Sequence, residues 1–390
     1  MTFLILITLV TALQALHRRL LRQVIGPRFD RWVILALVLI HLPLALFVGF
    51  RLSGMGQAAL WFRPLARAGA YFQILTFMDL LVWAGASLVW RWTHLWRKLA
   101  AAPLESPERR RFLRQTSAVG VALAGYSLAR GTQEARADPD IVRQELHFPD
   151  LPGALDGLRI VQVSDLHAGP LVAPELVQRW RRMAEAERPE LLLVTGDMVD
   201  SLPEEAGVVA EAFKDFRAPL GRYAILGNHD YFTDPRPIWR ILEGIGFQFL
   251  ENSSALVPRK GGALALVGLQ DPMARHGRFR DVVFGPGPQP DQAVRGLPEG
   301  SWRLCLSHRP SDWRLARRTG AALTLSGHTH GGQVNLIPGV SSAILLGEYT
   351  MGLYRKDGQQ LYVNRGLGVV GLPLRIGAPP EITVITLRRG

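Results

Sequence analysis

The chain of 390 residues carries 45 Lys and Arg against 33 Asp and Glu, a formal net charge of +12. Residues 1–137 hold 17 basic and 5 acidic residues, whereas residues 138–390 hold 28 of each. The basicity therefore belongs to the first third and predicts no nucleic-acid groove in the rest, and a single cysteine, Cys305, excludes an intrachain disulfide and a thiolate metal site.

Along the first third, Trp32–Phe50 is a 19-residue run without a charge and Tyr71–Trp90 a 20-residue run with only Asp79. Each has the roughly 20 apolar residues that cross a hydrocarbon core. Thr2–Leu16 and Thr116–Leu128 are shorter apolar runs, so that about four spans make residues 1–137 an α-helical membrane region in contact with the lipid bilayer. Arg18, Arg19, Arg22, Arg28 and Arg31 follow the first run. Arg91, Arg97, Lys98, Arg109, Arg110, Arg111 and Arg114 follow the third, while the loop between holds only Arg51, Arg63 and Arg67. Cationic loops stay in the cytoplasm. Four crossings thus give a multi-pass protein of the inner cell membrane with residues 138–390 outside the cytoplasm; without the fourth crossing the parity flips.

After Ala137 the charges are mixed, the apolar runs shorter, and Gly and Pro frequent. Strands are predicted at Leu158–Val163, Leu191–Thr195 and Arg222–Leu226, separated by helices at Pro174–Glu187 and around Glu204–Phe216, with another helix starting at Pro237–Leu242. Later strands are predicted at Ala263–Leu269, Arg303–Leu306, Ala322–Leu325, Gln360–Val363 and Ile382–Leu387. Strands that alternate with helices and then crowd together predict a mixed α/β fold on more than one sheet.

Polar clusters sit where these strands end. They are Asp165-Leu-His167, Gly196-Asp197, Gly227-Asn228-His229-Asp230, His308 and Gly327-His328-Thr-His330-Gly331. Side chains at the carboxyl ends of strands converge in space although far apart in sequence. The inventory is made of oxygen and nitrogen donors without a thiolate. It suits two adjacent divalent or trivalent ions, with Mn, Zn and Fe all admissible, and a two-metal site is suited to attack on phosphate esters.

The ordered set Asp-x-His, Gly-Asp, Gly-Asn-His-Asp, His, Gly-His-x-His resembles the calcineurin-like metallophosphoesterase superfamily over about residues 155–390. Its membrane-linked bacterial phosphodiesterase branch is similar in having spans ahead of the catalytic domain. The resemblance implies a four-layer fold, two mixed β-sheets packed as a sandwich with flanking helices. It also implies that Asp165, His167 and His330 hold one metal, that Asn228, His308 and His328 hold the other, and that Asp197 bridges them. His229 would protonate the leaving group, with Asp230 orienting its ring.

The expected activity is hydrolysis of a phosphodiester, phosphomonoester or pyrophosphate bond at a membrane surface, the substrate being a lipid or lipid-linked nucleotide. One alternative is a pyrophosphate hydrolase acting on a UDP-2,3-diacylglucosamine during lipid A synthesis; another is an inactive scaffold or sensor that keeps the fold. Arg309 is read either as a contact for substrate phosphate or as a surface residue, and Asn364 and Gly366 as residues closing the site.

Overall fold

In the computed structural model, residues 107–276, 283–335, 340–345 and 347–390 are described. The runs Thr2–Leu16, Trp32–Phe50 and Tyr71–Trp90 lie outside them. Helix α1, Pro107–Arg136, contains the fourth expected span, Thr116–Leu128. Among the described residues, no helix is long and apolar enough to cross a membrane. Thr116–Leu128 is a 13-residue run in a helix that also carries Arg109, Arg110, Arg111, Arg114 and Arg130, short of the roughly 20 apolar residues a crossing needs. Residues from Gly131 onward form one compact unit.

In that unit, β1 (Asp140–Phe148), β12 (Glu381–Arg389), β2 (Arg159–Val163), β3 (Leu191–Thr195), β4 (Arg222–Ile225) and β5 (Phe247–Phe249) make one sheet in that order. The other sheet runs β10 (Gly352–Lys356), β11 (Gln359–Val363), β9 (Leu323–Ser326), β8 (Arg303–Leu306), β7 (Gly262–Gly268) and β6 (Ser253–Arg259). Both are mixed. β2 to β5 are parallel neighbours, β12 runs antiparallel to β2, and in the second sheet only the outer pairs β10–β11 and β6–β7 are antiparallel.

Strand alternation sorts the apolar side chains into layers. Leu191 and Leu193 face the second sheet, packing with Leu264, Leu304, Leu323 and Tyr362. Leu192 and Val194 face the opposite way, against Trp180 of α2 (Pro174–Ala186), Val209 and Phe213 of α3 (Ala206–Phe213), and Ile238 of α4 (Pro235–Glu243). On the far side of the second sheet, Val267, Cys305, Leu361 and Val363 pack on Ala293 of α5 (Pro290–Ala293) and on Trp313 and Ala316 of α6 (Trp313–Arg318). The result is helix, sheet, sheet, helix.

Helices begin where local chemistry lets them. Pro174 and Pro235 occupy first-turn positions, where a missing N–H costs nothing, and Asp234 accepts from Arg236 N at 3.0 Å to cap α4. Four strands have no counterpart in the apolar pattern: β1, β5, β6 and β10. They are the four edge strands of the two sheets. An edge strand pairs on one side only and is half-solvated, so it does not read as an apolar run; β6 even contains Pro258.

Candidate metal centre

The carboxyl ends of β2, β3, β4, β8 and β9 deliver the polar clusters to one place. Asp165 and His167 follow β2, Asp197 follows β3, Asn228 follows β4, His308 follows β8, and His328 and His330 follow β9. To turn inward so soon after a strand, the chain takes up a left-handed backbone at Asp165, His167, Asp197, His328 and His330, with φ of 52°, 45°, 53°, 70° and 52°. Among the described residues nine non-glycine positions have positive φ, so more than half of this strained backbone lies at the site. Of the three glycines that directly precede donors in these clusters, only Gly196 needs its conformation, φ 92°. Gly227 and Gly327 supply space instead. A Cβ at Gly227 would overlap the Asp197 carboxylate, and one at Gly327 would overlap Ser164 and Asp165.

The donors converge. His167 Nε2 lies 3.1 Å from His330 Nε2, and Asp165 Oδ1 lies 3.5 Å from His330 Nε2 and 3.9 Å from His167 Nε2. Asp197 Oδ2 is 3.6 Å from His167 Nε2 and 3.3 Å from His308 Nε2, and so belongs to both halves. Asn228 Oδ1 is 3.2 Å from His308 Nε2, and the His328 ring packs edge-on to His308 at 5.0 Å. Asp165, His167 and His330 form one set able to hold a cation, and Asp197, His308 and His328 form another.

Proton positions follow from partners. His308 Nδ1 lies 2.7 Å from the Thr195 carbonyl, which can only accept, so Nδ1 carries the hydrogen and Nε2 faces the centre. Burial, with nearby positive groups, holds His167 and His330 well below the usual histidine range and brings His328 down to about 3. These three rings are neutral donors. Burial also pushes Asp165 up to about 6, and the charge of Asp197 adds to the rise while His308 opposes it. For Asp197 burial raises the pKa, but His308 and His229 outweigh it and keep the carboxylate ionised. His308 is the converse: burial lowers it, and Asp197 pulls it up to about 10.

The arrangement fits cations. Lone pairs from buried imidazoles and carboxylates aim at common points, and His167 Nδ1 is a buried ring atom with no hydrogen-bond partner. Packing acceptors this closely is costly unless positive charge lies between them.

His229 stands at the rim, half-buried, with its ring on Phe232 at 4.2 Å and edge-on to His167 at 4.6 Å. Its backbone N donates to Asp197 Oδ1 at 2.8 Å. Its Nδ1 donates to the main-chain carbonyl of Asp200 at 2.7 Å, leaving Nε2 free of that bond, and His229 forms with His167 and Asp197 a further set of donors close enough to share a cation. The role expected of Asp230, orienting this ring, thus falls to the Asp200 carbonyl. Glu205 sets that carbonyl, because its Oε2 accepts from the backbone N–H groups of Asp200, Ser201 and Leu202 at 3.1, 2.8 and 2.9 Å.

Asp230 is engaged elsewhere. Its carboxylate accepts from the backbone N–H of Asp197, Met198, Val199 and Gly227 at 2.9, 3.0, 3.2 and 2.8 Å, tying the β3 exit to the β4 exit. Burial, with repulsion from Asp197, lifts its pKa to about 7 against the pull of those amides. Asp230→Ala is expected to lower stability by about 3 kcal/mol or more, since each orphaned buried donor costs about 1–3 kcal/mol. Urea denaturation of the variant beside the wild type measures this.

Arg309 reaches neither reading in full. It is three-quarters covered and paired with buried Asp271, Nε to Oδ2 at 2.7 Å and Nη2 to Oδ1 at 3.1 Å. Asn364 and Gly366 lie under the site rather than across it. Asn364 Oδ1 accepts from Gly366 N at 2.7 Å, and a Cβ at Gly366 would come within 2.7 Å of Asp165 Cβ. Sequence patterns gave no hint of the Asp200 carbonyl, of Glu205, or of Arg375, whose guanidinium reaches His330 at 3.2 Å. A backbone carbonyl has no residue signature, and a lone arginine in a loop matches no motif.

A profile described as calcineurin-like phosphoesterase matches residues 158–332. A Danio rerio protein named "Transmembrane protein with metallophosphoesterase domain" is 34% identical over 274 residues, 68% of this chain and 60% of that protein. The Bos taurus protein of the same name is 28% identical over 333 residues, covering 82% of this chain and 72% of its own length. The Bacillus subtilis "Uncharacterized metallophosphoesterase YkuE" is 30% identical over 244 residues, 61% of this chain and 82% of that protein. The chain spans about three-fifths of the zebrafish relative's length.

Proposed function

The chain belongs to the calcineurin-like phosphoesterase family and is a metal-dependent phosphoesterase, and from that premise we propose a two-metal enzyme held at a membrane surface. In this reading Asp165, His167 and His330 hold one ion, Asn228, His308 and His328 the other, and Asp197 bridges them. One observation carries it: a single oxygen, Asp197 Oδ2, lies 3.6 Å from His167 of the first set and 3.3 Å from His308 of the second. An anionic bridge offsets part of the repulsion between two adjacent cations, whereas the neutral imidazoles leave the site electrophilic.

When bound, the ions supply a nucleophile at neutral pH and electrostatic stabilisation of an in-line displacement. The chain's own groups do the rest. The His229 ring is fixed at Nδ1 beside the donors, with Nε2 left for a proton, and its backbone is pinned to the bridging carboxylate. From there it delivers a proton to the departing alkoxide. Asp230 keeps the β3 and β4 exits in register, so that Asp197 and His229 stay in mutual reach.

The membrane part of the proposal is supported by the two long apolar runs, Trp32–Phe50 and Tyr71–Trp90, and by the printed names of the zebrafish and bovine relatives. A tethered site favours substrates that lie in the bilayer surface. We therefore assign it a phosphoester or pyrophosphate bond of a lipid or lipid-linked nucleotide.

Purified full chain is expected to contain two equivalents of Mn, Fe or Zn and to hydrolyse bis(p-nitrophenyl) phosphate. Chelation abolishes this activity and added metal restores it. A metal-loaded protein without hydrolysis of this ester, of p-nitrophenyl phosphate or of a pyrophosphate diester would mean a scaffold rather than an enzyme.

A further inference from the structure

Arg375 is among the largest fully buried side chains, 0% exposed, and the chemistry above makes no use of it. None of its hydrogen-bond partners is a carboxylate. Nε donates to the Gly368 carbonyl at 3.1 Å, and Nη1 donates to those of Arg365 at 3.0 Å and Ala378 at 2.8 Å. Nη2 donates to Gly366 at 3.0 Å and Gly368 at 2.6 Å, and meets Nδ1 of His330 at 3.2 Å. A cation so deep in a protein is expensive, and it persists only where its donors are fully engaged.

Two of these contacts lead to the same place. The loop 365–368, gathered by the guanidinium through three carbonyls, lies directly beneath Asp165. Gly368 N donates to the Asp165 carbonyl at 2.7 Å, and Leu367 N donates to that of Ser164 at 3.0 Å. That backing holds a residue whose own backbone is strained, φ 52°. On its other side the guanidinium touches the His330 ring, whose far nitrogen faces Asp165 Oδ1 at 3.5 Å. Arg375 N, in turn, donates to the Gly131 carbonyl of α1 at 2.9 Å.

The other half of the centre has orienting partners of its own, and its link to the first is His328 N, which donates to Asp165 Oδ1 and Oδ2 at 3.0 and 3.1 Å. His308 is oriented by the Thr195 carbonyl, and Asp197 with the Asn228 loop is oriented by Asp230. Among the described residues no hydrogen bond joins Arg375 to Asn228, His308 or His328.

We propose that Arg375 is a positioning residue for one metal position only, the one made by Asp165, His167 and His330, a role that rests on the two-metal reading. It holds the loop that backs one ligand, Asp165, and packs against the ring of another, His330. Partners of ligands typically change metal affinity by about 10–100-fold, and here the change falls on one ion of two.

Metal content and affinity of the full chain, measured by mass spectrometry and calorimetry with Mn²⁺, test this. Arg375→Lys keeps a charge and loses the planar fork; Arg375→Gln loses both. Each folded variant is expected to keep one equivalent at wild-type affinity and to bind the second about 10–100-fold more weakly. Two equivalents at wild-type affinity, or equal weakening of both, overturns the proposal. A wild type that binds fewer than two equivalents overturns the two-metal reading instead.

Should neither variant fold, hydrogen exchange carries the same test through linkage, because coupling between the loop and the ion is reciprocal. In Asn228→Ala, where the first position is intact, Mn²⁺ is expected to slow exchange across residues 364–378. In His330→Ala, with the second position intact, it is expected to leave that stretch unchanged. Equal protection in both, or none in the Asn228→Ala protein, refutes the coupling.

Discussion

Asp197→Asn is expected to leave the fold intact while hydrolysis falls by about 10²–10³-fold, the scale seen when one key electrostatic group of a reaction site is lost. The side chain keeps its size, and its remaining oxygen can still accept from His229 N, which bonds Oδ1 at 2.8 Å in the native chain. What disappears is the negative charge between His167 and His308. An amide cannot offset two cations, and its NH₂ group would point donors at the atoms that should face the ions. Metal content is therefore expected to drop below two equivalents, with circular dichroism unchanged. An Asp197→Asn protein with two bound metals and full turnover would show that this carboxylate bridges nothing.

His229→Ala separates proton transfer from metal binding. The ring lies among the donors, grouped with His167 and Asp197, but belongs to neither proposed ligand set, and its Nδ1 is committed to the Asp200 carbonyl. Both ions are expected to remain. Turnover of bis(p-nitrophenyl) phosphate should change little, because p-nitrophenolate departs without help. For esters of poorly acidic alcohols the loss should reach about 10²–10⁴-fold, the usual worth of general acid catalysis. A series of aryl and alkyl phosphodiesters, compared at fixed metal content, gives the dependence on leaving-group acidity. If the variant handled the poorest leaving group as well as the wild type does, another group would have to be the acid.

What could be read in advance depended on how residues make themselves known. The interior strands β2, β3, β4, β7, β8, β9, β11 and β12 are apolar because both faces are covered, and the sequence shows them as runs. β1, β5, β6 and β10 are edges, and their half-solvated faces leave no such run. Thr116–Leu128 looked like a short span because its residues are small and apolar. In the structure it is part of one helix with flanking arginines.

By itself the sequence determined the candidate donors: Asp165, His167, Asp197, Asn228, His308, His328 and His330 offer oxygen and nitrogen atoms, each after an apolar run that had to become a strand. The pairing of side-chain types with strand ends is local, and local patterns survive in one dimension. Tertiary structure alone decided which donors share a point, that Asp197 serves both sets, and that Asp230 braces four backbone amides instead of the His229 ring. It alone exposed the Asp200 carbonyl and the buried Arg375. The donors that share a point lie as much as 163 positions apart, and some of the bracing contacts run through main-chain atoms that every residue possesses. Only the folded chain brings them together.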